Sequence, residues 1–193
     1  METKTFYLTF DGSPNPPGTD NVLAALARHG VQASFFMEGR RLVDQAECAR
    51  RVMAAGHDVG NHSYNHPEFD TVPIEVCIEE VEKTDRIVFE KLGIKLHYLR
   101  PPAGKLTPAV ENEFLQRGYD IVLWSYPIDD WITPDTTVLS ERILKGARDE
   151  GIIVFHDRVE WVPQTLDIII PRMKEQGYQF KKISESGRSG VIC

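Results

Sequence analysis

A chain of 193 residues, 41% hydrophobic and 26% charged, suits one domain built around a single substantial core. Its formal net charge of −7 excludes broad electrostatic attraction to nucleic acid or to an anionic membrane surface, and no basic cluster offsets it. Apolar runs such as residues 121–124 are far too short to span a bilayer.

The first strand-like run covers residues 6–10 and halts at Asp11-Gly12-Ser13-Pro14, a loop signal. Asp20 can cap a helix through Ala27, which Gly30 closes. Residues 31–37 read as a second strand. A helix over residues 45–55 stops at Gly56, and residues 57–60 form a short third strand. Pro73 opens the longest helical stretch, which runs through Lys91 to a stop at Gly93. Residues 96–99 form the fourth strand, and Thr107-Pro108 begins a helix ending near Gly118. The fifth strand covers residues 119–124. A helix over 138–148 then leads to a sixth strand at 152–155. The last helix follows Pro163, with Pro171 expected to kink or break it. Residues 178–183 close as a seventh strand, and the Ser/Gly-rich tail after Ser184 is expected to be loose.

Strand alternating with helix from end to end implies α/β architecture, with parallel strands joined by right-handed crossovers. Short apolar strands buried on both faces suit a closed barrel or a doubly wound sheet, and periodicity does not choose between them. No internal repeat or linker interrupts the chain, so residues 1–193 read as one domain. Cys48, Cys77 and Cys193 are odd in number and without pattern, which suggests a reducing compartment. Cys48 and Cys77 fall in helix-like segments and read as small buried hydrophobes. No basic start followed by an apolar stretch opens the sequence, so a cytoplasmic location is expected, although a chain trimmed of an export signal would read the same.

Position is the informative feature. Asp11 follows strand one, His62 and His66 follow strand three, and Arg100 ends strand four. Asp129 and Asp130 follow strand five, and His156-Asp157 ends strand six. In parallel α/β architectures that carboxyl rim is where active sites are built. Each residue also has a bland reading. Asp11 could be a turn residue bonding its own backbone, and Arg100 could pair a surface acid. Asp130-Trp131 could be a loop acid beside a core aromatic, and His156 a structural histidine. The HxxxH spacing of His62 and His66 would place two imidazoles on one helical face. Pro67 directly afterwards argues for a turn instead.

Together and in order, these segments resemble the polysaccharide deacetylase family, carbohydrate esterase family 4, which includes chitooligosaccharide deacetylases. The match rests on Thr9-Phe10-Asp11, on His62-Ser63-Tyr64-Asn65-His66 preceded by Gly56-His57-Asp58-Val59-Gly60-Asn61, on Arg100-Pro101-Pro102-Ala103-Gly104, on Asp130-Trp131, and on Val154-Phe155-His156-Asp157. Ala33-Ser34-Phe35-Phe36 is also similar to the family's second strand. The resemblance runs from about Thr5 to about Ile183. It implies a distorted (β/α)-barrel of about seven parallel strands and a divalent metal, most often zinc, held by two histidines and one aspartate. By that resemblance His62 and His66 are metal ligands and Asp11 is the catalytic base, braced by Arg100. His156 is the general acid, oriented by Asp130, while Trp131 and Val154 line the acetyl pocket. The implied substrate is an N-acetylated carbohydrate, and the implied reaction is hydrolysis of its amide.

One departure matters most. The family reads Thr-Phe-Asp-Asp-Gly, and its second aspartate is the third metal ligand. Here Gly12 stands in that place and offers no side chain. Enzyme zinc sites use three protein ligands plus water. Either Asp11 serves as substitute ligand, or Asn15 or Asp20 supplies the oxygen, or metal binding is weak or lost. Pro127 also stands where the fourth motif often has an acid, and Val154 where leucine is common. These departures keep two other readings open: hydrolysis of a different linear or cyclic C–N amide, as in allantoinase- or imidase-like relatives, and a non-catalytic carbohydrate-binding relative.

Overall fold

The computed structural model describes residues 3–193. Its organising element is β1 (Lys4–Ser13), buried along nearly its whole length. Side chains of a strand alternate between its faces. Phe6, Leu8 and Phe10 therefore join the large core, while Tyr7 belongs to an inner cluster with Phe36, Val122, Ile152, Ile183 and Ile192. Thr9 and Asp11 continue the Tyr7 face toward the strand's carboxyl end. That alternation carries an acid to the mouth of the barrel.

Seven further strands pair in parallel: β2 (Ser34–Met37), β3 (Asp58–Asn61), β4 (Tyr98–Leu99), β5 (Asp120–Val122), β6 (Gly151–His156), β7 (Tyr178–Lys181) and β8 (Val191–Ile192). Their order is β6-β1-β2-β3-β4-β5-β8, with β7 on β1. Residues 4–7 of β1 pair with β7 and residues 9–13 with β2, while residues 6–11 pair with β6. The lower and upper halves of one edge of β1 are thus taken by two different strands, a distortion of an ideal barrel. Beyond β5, Ser125 approaches β6: its N–H donates to the Ile152 carbonyl (2.8 Å) and its Oγ accepts from the Ile152 N–H (2.9 Å). The sheet therefore curls into a distorted barrel, the option that periodicity alone left open.

Six helices alternate with the strands: α1 (Gly18–Arg28), α2 (Gly39–Ala54), α3 (Ile74–Leu92), α4 (Pro108–Gln116), α5 (Thr136–Gly146) and α6 (Val162–Glu175). Their buried stripes, such as Val22 and Leu26 of α1 or Leu166, Ile169 and Ile170 of α6, complete the large core. Local signals set their ends. The Thr107 hydroxyl accepts from the Val110 N–H ahead of Pro108, and Asp135 accepts from the N–H groups of Thr137 and Val138. None of these helices is long and apolar enough to cross a membrane.

Three expectations need correction. The tail is not loose: Ile183–Glu185 forms a 3₁₀ turn and β8 pairs with β5, burying Ile192. Pro171 does not break the last helix, which runs through it to Glu175 with Ile170 and Met173 buried on either side, so packing outweighs the missing bond. Helix α2 begins at Gly39 rather than Gln45, whose non-helical φ of −114° marks the joint between two segments. Cys48 and Cys77 are buried and Cys193 is exposed, all as free thiols.

Candidate active site

Strand register places the first two groups. In the β1–β6 ladder Asp11 lies opposite His156 and Thr9 opposite Val154. Parallel neighbours stand about 4.8 Å apart, so a carboxylate and an imidazole reach the barrel mouth side by side. Arg100 follows β4, where its N–H donates to the Asn61 carbonyl at 2.9 Å. Its side chain is wholly buried, with the guanidinium 4.2 Å from the centre of the Phe36 ring.

Four of the five N–H donors of that guanidinium have partners. Nη1 donates to Asp11 Oδ1 at 2.9 Å and to the Thr9 hydroxyl at 2.6 Å. Nε donates to the Val122 carbonyl (2.9 Å) and Nη2 to the Leu123 carbonyl (3.1 Å). A buried cation so bonded is fixed in place. Burial alone would push the Asp11 carboxyl up, but the Arg100 charge, then His62 and His156, hold it below the ordinary carboxylate range. The turn after Arg100 depends on Gly104, whose φ of +66° and approach to the Trp124 ring leave no room for a side chain.

The two loop histidines are built differently. His62 takes its place through its own N–H, which donates to the Met37 carbonyl at 2.9 Å. Its Nδ1 lies 2.7 Å from the Arg100 carbonyl, which can only accept, so Nδ1 carries the proton. Nε2 is left as a bare acceptor, 3.8 Å from Asp11 Oδ2. Burial pushes the His62 imidazole down, toward its neutral form. His66 packs edge-on with its ring centre 4.8 Å from that of His62. The segment between them is a turn, as Pro67 implied, with positive φ at Ser63 and His66. Asn61 pins it by accepting from the Ser63 N–H (2.8 Å), and Glu80 accepts from the Tyr64 and Asn65 N–H groups (2.9 and 2.5 Å).

On the other side, Asp130 is fully buried and holds His156 twice. One oxygen lies 2.9 Å from Nδ1 and the other accepts the His156 N–H at 2.7 Å. The indole of Trp161 fixes the Asp130 carbonyl at 2.8 Å. With Nδ1 committed, Nε2 of His156 is free to face substrate. Trp131 stands edge-on to His156 with ring centres 5.3 Å apart and is half-exposed at the rim.

Asp11, His62, His66, Trp131, Val154 and His156 line one cavity of about 330 Å³. Arg100 and Asp130 lie behind it, each gripping one of its members. Ala103, Pro127 and Asp129 also line it, whereas sequence reading missed Trp124, Ile128 and Arg158, none of which carries a local signal. It also missed Thr9 as a second partner of Arg100. A larger hollow of about 530 Å³, beside Phe89 and Tyr119, opens at the amino ends of β4 and β5, away from these groups.

The donors suit a divalent cation in kind: two imidazoles and the second oxygen of Asp11. In number they are short. Among the described residues no three His, Cys, Asp or Glu side chains are gathered at metal-holding distance. Asn15 and Asp20 do not fill the gap. Asn15 donates to the Gly12 carbonyl (2.6 Å) and to Asp157 (2.7 Å), and accepts from Arg41. Asp20 spends both oxygens on Arg51, at 2.8 and 2.9 Å.

The chain matches the polysaccharide deacetylase family model over residues 1–122 and belongs to that family. It is 32% identical over 182 residues to a peptidoglycan-N-acetylglucosamine deacetylase of Listeria monocytogenes, covering 94% of this chain but 38% of that protein. A peptidoglycan-N-acetylglucosamine deacetylase of Bacillus cereus is 33% identical over 187 residues, with 94% and 87% covered. Among solved structures, a family pseudoenzyme from Bacillus anthracis superposes with a TM-score of 0.90 at 28% identity, covering 95% of this chain and 65% of that one. A mutant of that pseudoenzyme has restored enzymatic activity.

Proposed function

We propose that this chain is a metal-assisted amidohydrolase that removes the acetyl group from an N-acetylated amino sugar or its oligosaccharide. The observation that carries the reading is the β1–β6 register, which sets Asp11 beside His156 in a cavity that His62 and His66 also line.

A divalent cation held by His62 and His66 would supply Lewis-acid polarisation of the amide carbonyl and would make water more acidic, zinc being one ion that suits imidazole donors. Asp11 takes the proton of the attacking water through Oδ2, since Oδ1 is tied to Arg100. Arg100 keeps that carboxylate ionised. The water oxygen bonds to the acetyl carbon, the C–N bond breaks, and His156 passes a proton from Nε2 to the leaving nitrogen. Asp130 accepts from Nδ1–H, so the form of His156 that acts as acid is the imidazolium, with a proton on each ring nitrogen. A base and an acid held by opposite partners form the pair that amide hydrolysis requires. Val154 and Trp131 bound the space available to the acyl methyl. The names of the relatives make N-acetylglucosamine-containing glycans the first substrates to try.

The test is acetate release from N-acetylglucosamine oligomers and peptidoglycan fragments, run beside ureide and imide substrates with zinc, cobalt and nickel. Acetate from a glycan supports the reading, and turnover confined to ureides or imides replaces it. A second reading, sugar binding without turnover, is favoured by Gly12 and by the pseudoenzyme among the structural neighbours. Saturable glycan binding with no product under any metal would establish it.

A further inference from the structure

We propose that Glu38 supplies the acidic ligand that Gly12 withholds, completing a divalent-cation site with His62 and His66. The proposal rests on the metal-assisted reading above. Gly12 sits at φ +73°, and a β-carbon built there would lie 3.1 Å from Glu38 Oε1 and 3.2 Å from Arg158 Nη1. The space where the family's second aspartate begins is therefore bordered by another carboxylate.

Glu38 reaches that space from β2 rather than β1. Met37 pairs with Ser13, and the Glu38 N–H donates to the Ser13 carbonyl at 2.9 Å, so the residue is locked beside the β1 loop. Its side chain is 5% exposed. Arg40 and Arg41 both donate to Oε2, at 2.7 and 3.1 Å, which leaves Oε1 turned toward Gly12. A simple buried ion pair accounts for Oε2 but not for the free oxygen against the one residue that lacks a side chain.

Glutamate is one methylene longer than aspartate, which offsets its start on the neighbouring strand. The imidazoles and Glu38 do not stand at ligand spacing, so Glu38 joins them by side-chain rotation past Gly12, into the volume that a β-carbon would otherwise fill. Arg158, which borders the same volume, is exposed and can turn outward.

The experiment is calorimetric titration of chelator-stripped protein with Zn²⁺, for the wild type, Glu38→Gln, Gly12→Asp, the double variant and His62→Ala. Thermal unfolding of each stripped protein checks that the fold is kept. Glu38→Gln is expected to weaken Zn²⁺ binding at least tenfold, and Gly12→Asp introduced into Glu38→Gln to recover most of that loss. Wild-type affinity in Glu38→Gln, with His62→Ala unable to bind, overturns the assignment while leaving the metal reading intact. A loss in Glu38→Gln that Gly12→Asp does not recover also overturns it, because the acid is then only a structural partner of the arginines. No Zn²⁺ uptake by the wild type overturns both.

Discussion

The two halves of the cavity are held by different means. Asp11 and His156 sit on adjacent strands in direct register, and each is gripped from behind by a fully buried charged partner, Arg100 or Asp130. His62 and His66 sit on a turn beyond β3, held by side chains of Asn61 and Glu80, and Gly12 leaves them without the aspartate of the family pattern. The strand-borne half, proposed to move protons, is thus fixed by backbone ladders and buried hydrogen bonds, whereas the histidine half, proposed to hold a cation, depends on loop geometry. Strand register tolerates little change, because a one-residue slip turns every side chain to the other face. A loop can lose a ligand without disturbing the barrel.

That contrast can be broken first at Asp11. Asp11→Asn keeps the shape and removes the proposed base, so kcat for acetate release is expected to fall by about 10²–10⁴, with thermal stability changed far less. A turnover loss of only a few-fold would show that the proton leaves by another route.

Arg100→Met should cost both stability and catalysis. Removing one partner of a buried pair leaves an uncompensated charge and is expected to destabilise by about 3–5 kcal/mol in denaturant unfolding. With Arg100 present the folded pKa of Asp11 is depressed, so its stabilising contribution is present above the unfolded carboxyl value and is lost as pH falls through the folded value. In the variant, burial loses its largest opponent and Asp11 rises, so the acid limb of kcat/KM should move to higher pH. An unmoved limb would separate Asp11 from that limb.

His57 sharpens the comparison from outside the site. It is buried under β2, its Nδ1 accepts the Ala33 N–H at 3.0 Å, and burial followed by the Lys182 charge pushes it down to about 4. The unfolded chain takes up that proton below about pH 6.5 and the folded chain does not until about 4, so stability should fall across this window. The total is about 3 kcal/mol at roughly 1.4 per pH unit. His57→Gln should flatten that slope, measured by urea unfolding at several pH values, and an unchanged slope would place the proton elsewhere. Trp131→Ala, at the rim, should raise KM by a few-fold with kcat nearly kept. An equal fall in kcat would instead give the indole a part in orienting His156.

The residues of the strand-borne half were legible in the sequence because strands end where apolar runs end, and Asp11, Arg100 and His156 each stand at such an end. The family pattern then assigned their roles. The cation half was legible as an HxxxH pair and as a missing aspartate, but not as a solution to that absence. Glu38 carries no local signal: its burial comes from Arg40, Arg41 and the Ser13 carbonyl, all set by the meeting of β1 and β2. Glu80 is hidden in the same way, since from sequence it is one more acid on α3. The tail escaped because β8 is two residues long and pairs with a strand about 70 positions away, beyond the reach of any local pattern. The continuation of α6 through Pro171 escaped because packing on both sides overrides a local breaker.

The most direct measurement is a double-mutant comparison of kcat for acetate release by Asp11→Asn, His156→Asn and the two combined. Residues that act as one unit are strongly non-additive, so the double variant should be no slower than about the worse single one. Single variants that keep near wild-type turnover, or losses that multiply fully in the double variant, would contradict a base and an acid working in register on one C–N bond.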